Sequence, residues 1–558
     1  MAITNQENLK VLSSILKQMT QDAVKNTTSS GNLQIVTAIK VLDYAFILGH
    51  SSHIVSKKEQ QYWHRVFRFY TQGFYDFAII TFKELSGISL IPSKIPKNLI
   101  EDCLAELKEL GDIAILKRFV EVAYHENAKC SFNKGKYRIE FPPNISAIEL
   151  IETRSQAWLR DYLLSCSNIQ SFMDMAHVLL PKTRLLENGI YDEPLLQNLY
   201  TNIASAFSET RIGFDYYDPE ARFGNVDFKS YRQVVNELIA FATLQQDLYL
   251  LNFQKNKMAQ TELNFISPII SKKLLIDFLA QRLKLTTTVI NQVIETITLN
   301  IQKINANIFP PGYAAPILVA INSYQVQLHL TACLTNPYIY LHRCLRFHCK
   351  NDYVDAAANR EERFKSDVYA CFTSPVLKVK TNFVIKDQKK NKTDVDAILY
   401  HQREQILVFI QLKWMEDWAT DMRLRRNMKT EFERKINLWL DVVDNYLKNE
   451  NLEELNQRLR LKGVNKTTKV YKLIIGKHFT HFDGINRKTE NIYLNWANLF
   501  KLLVDYPKCK SSLLHFIQKA KNINIYQEAE TLAKAMPDTT FKVGSTEVKL
   551  SRPKPTGP

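Results

Sequence analysis

The residues best suited to chemistry lie between Thr393 and Trp414, in TDVDAILYHQREQILVFIQLKW. Two short apolar runs there carry an aspartate, Asp396, on the first and the triplet Gln411-Leu412-Lys413 at the end of the second. Side chains alternate along an extended chain, so Val395, Ala397 and Leu399 are expected on one side and Asp394, Asp396 and Ile398 on the other. The same rule places Gln411 and Lys413 on one face and Leu412 on the opposite one. If the two strands pair through the HQREQ turn, Asp396, Gln411 and Lys413 converge at one edge of a sheet. Two oxygen donors and an ammonium at that spacing can surround a hydrated Mg²⁺ ion and a phosphate, because hard cations take oxygen ligands and the ammonium complements phosphate charge.

The flanking segments supply elements to position these groups. NREERFKSDVYACF brings Glu361, Phe364, Val368 and Phe372 near one helical face, and VLKVKTNFVI reads as a first strand. DMRLRRNMKTEFERKINLWLDVVDNYL reads as a long amphipathic helix, VYKLIIGKHF as a buried strand, and NIYLNWANLFKLLV as a short strand and helix.

Helix, three strands, helix, strand, with an Asp and a Gln-x-Lys on adjacent strands, resembles the PD-(D/E)XK superfamily of restriction-endonuclease-like nucleases over roughly residues 350 to 505. The resemblance implies an α/β/α C-terminal domain with a mixed central sheet. It also implies a Mg²⁺-dependent (or Mn²⁺-dependent) phosphodiesterase, most simply a DNA endonuclease of the kind found in restriction, phage defence or mobile elements. The commonest third acid of that family is Glu; Gln-x-Lys is similar to Mrr-type enzymes and leaves the site one negative charge short. By that resemblance Asp396, the Gln411 amide oxygen, the Leu412 backbone carbonyl and a helix glutamate hold the metal, while Lys413 orients the attacking water and steadies the phosphorane. Glu361 is favoured over Glu362 for the helix acid, since it falls three residues before Phe364 and seven before Val368.

Composition points to a polyanionic partner, with double-stranded DNA the first expectation. There are 73 Lys+Arg against 57 Asp+Glu, a formal net charge of +16. Basic residues crowd the site: Lys386, Lys389, Lys390 and Lys392 precede the Asp396 strand, and Arg423, Arg425, Arg426 and Lys429 open the helix after Lys413. They are expected to contact phosphates without reading sequence. Trp414 and Trp418 could stack on bases, with a core or rim role as the default.

The remainder reads as helix after helix, giving a large all-helical region over 1–345, divided near 215–230, that senses, assembles or docks a protein partner or a second copy. Closing helices follow over 506–558 and end, beyond Pro537, in a flexible tail, with a short added strand as the alternative. A content of 46% hydrophobic residues excludes a disordered chain, and no Walker motif, dinucleotide fingerprint or HExxH appears. No uninterrupted apolar run suggests a membrane span, no leader pattern opens the chain, and the eight scattered cysteines suit a reduced compartment, so the cytoplasm is expected. The Cys333, His342, Cys344, His348 and Cys349 cluster lacks a Cys-x-x-Cys knuckle and reads as packed thiols. Two other functions compete with the endonuclease: a nuclease fold that only grips DNA or RNA, and a helical scaffold whose α/β part is structural.

Overall fold

The computed structural model describes residues 5–26, 32–51, 55–81, 95–126, 128–142, 147–180, 194–210, 217–256, 266–300, 315–335, 337–379, 383–386, 392–415, 422–449, 452–482, 490–535 and 538–551. Helices dominate, and several sheets interrupt them.

The C-terminal unit is built on a five-stranded mixed sheet. Its strands are Leu377–Val379, Ala397–His401, Ile406–Lys413, Lys469–Gly476 and Ile492–Asn495, adjacent in chain order. The first three pair antiparallel, the last three parallel. Strand Ile406–Lys413 is apolar at nearly every position because both of its faces are covered. On one face Leu407, Phe409, Ile474 and Tyr493 meet Phe432, Ile436, Trp439 and Val443 of the long helix Met422–Asn449. On the other, Ile406, Val408, Ile410 and Leu412 meet Phe364 and Val368 of helix Arg360–Ala370, with Leu499 and Leu502 of helix Trp496–Asp505 and Phe516 of helix Leu513–Lys521. Helices on both sides of one sheet bury the two apolar faces that neither layer could bury alone.

The region before residue 345 is helical in the main but not wholly so. Its largest core joins helices Asn32–His50, Lys97–His125, Pro194–Thr210, Phe228–Asn256, Thr287–Ile297 and Pro337–His348. A small sheet of Ile269–Ser271, Gln325–Leu328, Leu318–Ala320 and Thr298–Leu299 lies among them. Strands Lys129–Asn133 and Lys136–Glu140 form a hairpin whose turn, Lys134-Gly135, takes positive φ at both residues. The window Leu33–His50 is long and apolar enough by composition to cross a membrane, yet 83% of it is buried inside the protein, as suits a core helix.

Residues 538–551 take the added-strand alternative rather than the flexible tail, with two strands in place of one. Thr539–Val543 and Thr546–Ser551 form a second hairpin, and Thr546–Ser551 pairs parallel with Lys136–Glu140 to make one four-stranded sheet from the two distant parts of the chain. Phe541, Val543, Val548 and Leu550 pack there with Cys130, Tyr137, Ile139, Leu116 and Val120. Just before it, helix Ile525–Ala535 lies along helix Ala147–Ser165 through Ile525 and Ala529 against Ile148 and Ile151. The closing segment therefore runs from the C-terminal unit back into the N-terminal region.

Candidate active site

The hairpin Ala397–His401/Ile406–Lys413 has Ala397 opposite Ile410, so the next position outward sets Asp396 against Gln411. The ladder stops there, and Asp396 occupies a bend between Lys392–Val395 and Ala397–His401. That bend shifts the alternation. Val395 packs with Ile398 and Tyr400 on the long-helix face, while Ala397 and Leu399 pack on the opposite face. The expected sharing of one face by Val395, Ala397 and Leu399 is thus corrected, since the strand is two segments rather than one. Lys392–Val395 pairs instead with Phe383–Lys386 in a separate ribbon, which Trp439 ties down by donating its indole N–H to the Asp394 carbonyl (2.9 Å).

The freed carboxylate takes the place of the missing strand. Asp396 Oδ2 accepts from the Leu412 amide (2.6 Å) and from the Gln411 side-chain amide. Oδ1 accepts no hydrogen bond among the described residues. Burial is the main cause that lifts the Asp396 carboxyl from its ordinary 3.8 to about 7; Lys413 and the Leu412 N–H pull it down, and the charges of Asp394 and Glu361 push it up. Asp396, Lys413, Asp394 and Glu361 therefore lie within electrostatic reach of one another at one end of the sheet.

Glu361 sits in the first turn of helix Arg360–Ala370. It is exposed rather than on the buried stripe, which comprises Arg360, Phe364, Lys365, Val368 and Tyr369. Glu362 turns elsewhere, with its carboxylate 3.7 Å from Lys365 Nζ and its charge felt by Tyr369. Helix phase explains the division, since neighbouring residues point about 100° apart. Tyr369 fixes this helix to the strands: its hydroxyl donates to the Val379 carbonyl (2.6 Å) and accepts from the Ile398 amide (3.0 Å). Nothing in the sequence marks Tyr369, because its role needs a partner strand.

Gln411 is 3% exposed, and its amide orients Asp396. Leu412 directs its N–H at Asp396, and peptide groups of one strand residue point the same way, so the Leu412 carbonyl also faces the open side. The Lys413 carbonyl faces the other neighbour, accepting from the Lys477 amide (2.9 Å). Two carboxylates, an amide and a carbonyl are a donor set suited to a hard cation. Among the described residues no group of three or more His, Cys, Asp or Glu is placed to hold a metal, so such a cation would depend on amide and carbonyl oxygens beside two acids.

The basic residues divide sharply. Arg425 is 3% exposed and donates through Nε to both Glu149 oxygens (2.8 Å each) and through its two terminal nitrogens to Glu126 Oε1 (3.2 and 3.1 Å). Lys429 Nζ donates to both oxygens of Glu126 (2.8 and 2.9 Å). These two cations, expected at a phosphate surface, instead fasten the long helix to helices Lys97–His125 and Ala147–Ser165, because carboxylates distant in sequence reach them first. Arg426 and Lys392 remain exposed. Lys389 and Lys390 lie outside the described residues, as do the side chains of Lys386 and Arg423. Trp414 takes a core role, with its ring against Phe364 (5.7 Å) and under the Arg360 guanidinium (5.8 Å); Trp418 lies outside the described residues.

A second docking point was not anticipated. Glu152, fully buried, accepts from the Thr480 amide (3.2 Å) and the Asn495 side chain (2.8 Å), and its other oxygen lies 2.6 Å from His481 Nδ1. The N-terminal region thus plugs a carboxylate into the ends of the two parallel strands. Searches of family models, curated proteins and solved structures return no match to this chain.

Proposed function

We propose that this chain is a divalent-metal-dependent nuclease whose C-terminal unit has a restriction-endonuclease-like arrangement and whose N-terminal region assembles or controls it. The observation that carries the reading is the convergence of Asp396, Gln411 and Lys413, from two antiparallel strands, at the point where the ladder opens, with Glu361 in electrostatic reach. The order of helix, antiparallel strands, crossover helix and parallel strand supports the same reading. Asp396 Oδ1, the Gln411 amide oxygen, the Leu412 carbonyl and Glu361 would hold Mg²⁺ or Mn²⁺. When bound, such an ion supplies Lewis acidity and makes a water nucleophilic near neutral pH. Gln411 and the Leu412 N–H fix the Asp396 carboxylate in one orientation. Lys413 brings positive charge to where negative charge grows on the phosphate. Asp396 must lose its proton to ligate, so cleavage should rise with pH through about 7.

One observation favours a second reading, in which the fold grips nucleic acid without cutting it. Position 411 is an amide that already donates to Asp396, so the site has two acids where three are usual. Plasmid cleavage with Mg²⁺, Mn²⁺ or EDTA separates the readings. Metal-dependent cutting that disappears in both Asp396→Ala and Lys413→Ala supports the nuclease; salt-sensitive binding with no cutting supports the gripping module. Neither binding nor cutting would refute both.

A further inference from the structure

A cavity of about 580 Å³ opens at the seam between the N-terminal region and the C-terminal unit, on the sheet face away from Gln411 and Lys413. It is lined by Leu159 and Leu163 of helix Ala147–Ser165 and by Trp496 and Phe500 of helix Trp496–Asp505, which give two apolar walls. Those walls are apolar, one of them aromatic, and the volume falls in the range of small-molecule sites. The third side is charged. Arg363, Lys477 and Lys510 line it with a single carboxylate, Asp367. Lys477 is 5% exposed, its ammonium held 4.9 to 5.0 Å from the rings of Phe364, Trp414 and Trp496 and 3.8 Å from Asp367. Arg363 and Lys510 are exposed at the rim.

A cation buried among rings beside an apolar hollow is well placed to receive an anion, since both the charge and the dry walls gain from the same ligand. We propose that this cavity binds a small planar organic anion: a ring system carrying a carboxylate, sulfonate or phosphate, up to the size of a nucleoside monophosphate. The ring lies between the two apolar walls, and the acidic group meets Lys477, Arg363 and Lys510. Because Arg363 and Asp367 belong to the helix that carries Glu361, a ligand here touches both the N-terminal region and the element that presents the helix acid. Binding does not depend on the nuclease reading and is tested without it.

The test titrates the full chain with two fluorescent probes of similar shape, anionic 8-anilinonaphthalene-1-sulfonate and neutral N-phenyl-1-naphthylamine. Wild type should bind the sulfonate at one saturable site. Ala370→Trp, which fills the hollow from the lining, should abolish it, and Leu163→Trp fills it from the opposite wall should the first variant fail to fold. The double variant Arg363→Glu/Lys510→Glu should weaken the sulfonate by about tenfold or more while leaving the neutral probe within about twofold. Absent saturable binding, undiminished binding in a folded cavity-filling variant, or equal loss of both probes on charge reversal would overturn the proposal.

Discussion

The most demanding consequence of the site concerns the proton on Asp396. Its carboxyl is raised from 3.8 to about 7, chiefly by burial, so it stays protonated in the folded protein over a range where the unfolded chain has already released the proton. A raised folded value contributes stability that is complete below the unfolded value and is lost as pH climbs to the folded one. The loss therefore runs from about pH 4 to about pH 7 and then levels off, at roughly 4 kcal/mol in all. Asp396→Asn keeps the acceptor for the Leu412 N–H and cannot ionise. In urea unfolding with EDTA, wild type should lose roughly 2.5 kcal/mol relative to Asp396→Asn between about pH 5 and pH 8. Adding Mg²⁺ should reverse the loss in wild type alone; an ion at about a hundred times its Kd restores about 2.7 kcal/mol. Parallel pH curves for the two proteins, or wild type gaining on the variant as pH rises, would refute the electrostatic account of this site. A pH difference without rescue by any divalent ion would keep the buried carboxyl and remove the metal.

Other perturbations separate the site from its supports. Gln411→Glu replaces a donor to Asp396 by a second carboxylate, and should cost about 1–3 kcal/mol in EDTA while tightening Mg²⁺ binding by calorimetry; unchanged affinity would count against ligation at 411. Arg425→Ala removes the buried guanidinium that Glu126 and Glu149 share and leaves Lys429 on Glu126, so a loss of about 3 kcal/mol in chemical denaturation is expected, whereas a neutral result would mean the cation is not buried as described. Lys392→Ala and Arg426→Ala should each lower the salt dependence of DNA binding by about one in the log–log slope, as measured by fluorescence anisotropy. Truncation after residue 537 removes half of the four-stranded sheet and should lower the melting temperature and speed proteolysis near residues 129–140; an unaltered melt would show that the sheet contributes little.

Much of the C-terminal unit was legible in the chain, because local pattern governs there. Period-two apolar runs, the HQREQ turn and the 3.6-residue stripe of DMRLRRNMKTEFERKINLWLDVV are short-range signals, and they gave strands Ile406–Lys413 and Lys469–Gly476 and helix Met422–Asn449 with little error. The spacing of Asp396, Gln411 and Lys413 was likewise enough to bring them to one edge. What the chain alone did not reveal depends on contacts between residues hundreds of positions apart. KGKYRIE and FKVGSTEVK each bury one face only, and become a sheet because Lys136–Glu140 and Thr546–Ser551 find each other. Arg425 and Lys429 look like phosphate ligands in sequence, and tertiary structure gave them to Glu126 and Glu149. The bend at Asp396 is of the same kind, since alternation holds only while a strand keeps one partner, and here the partner changes from Phe383–Lys386 to Ile406–Lys413. Sequence sets which faces are apolar and which residues are near neighbours; packing decides which charges meet, because an ion pair or a strand edge is satisfied by whatever the fold brings within reach.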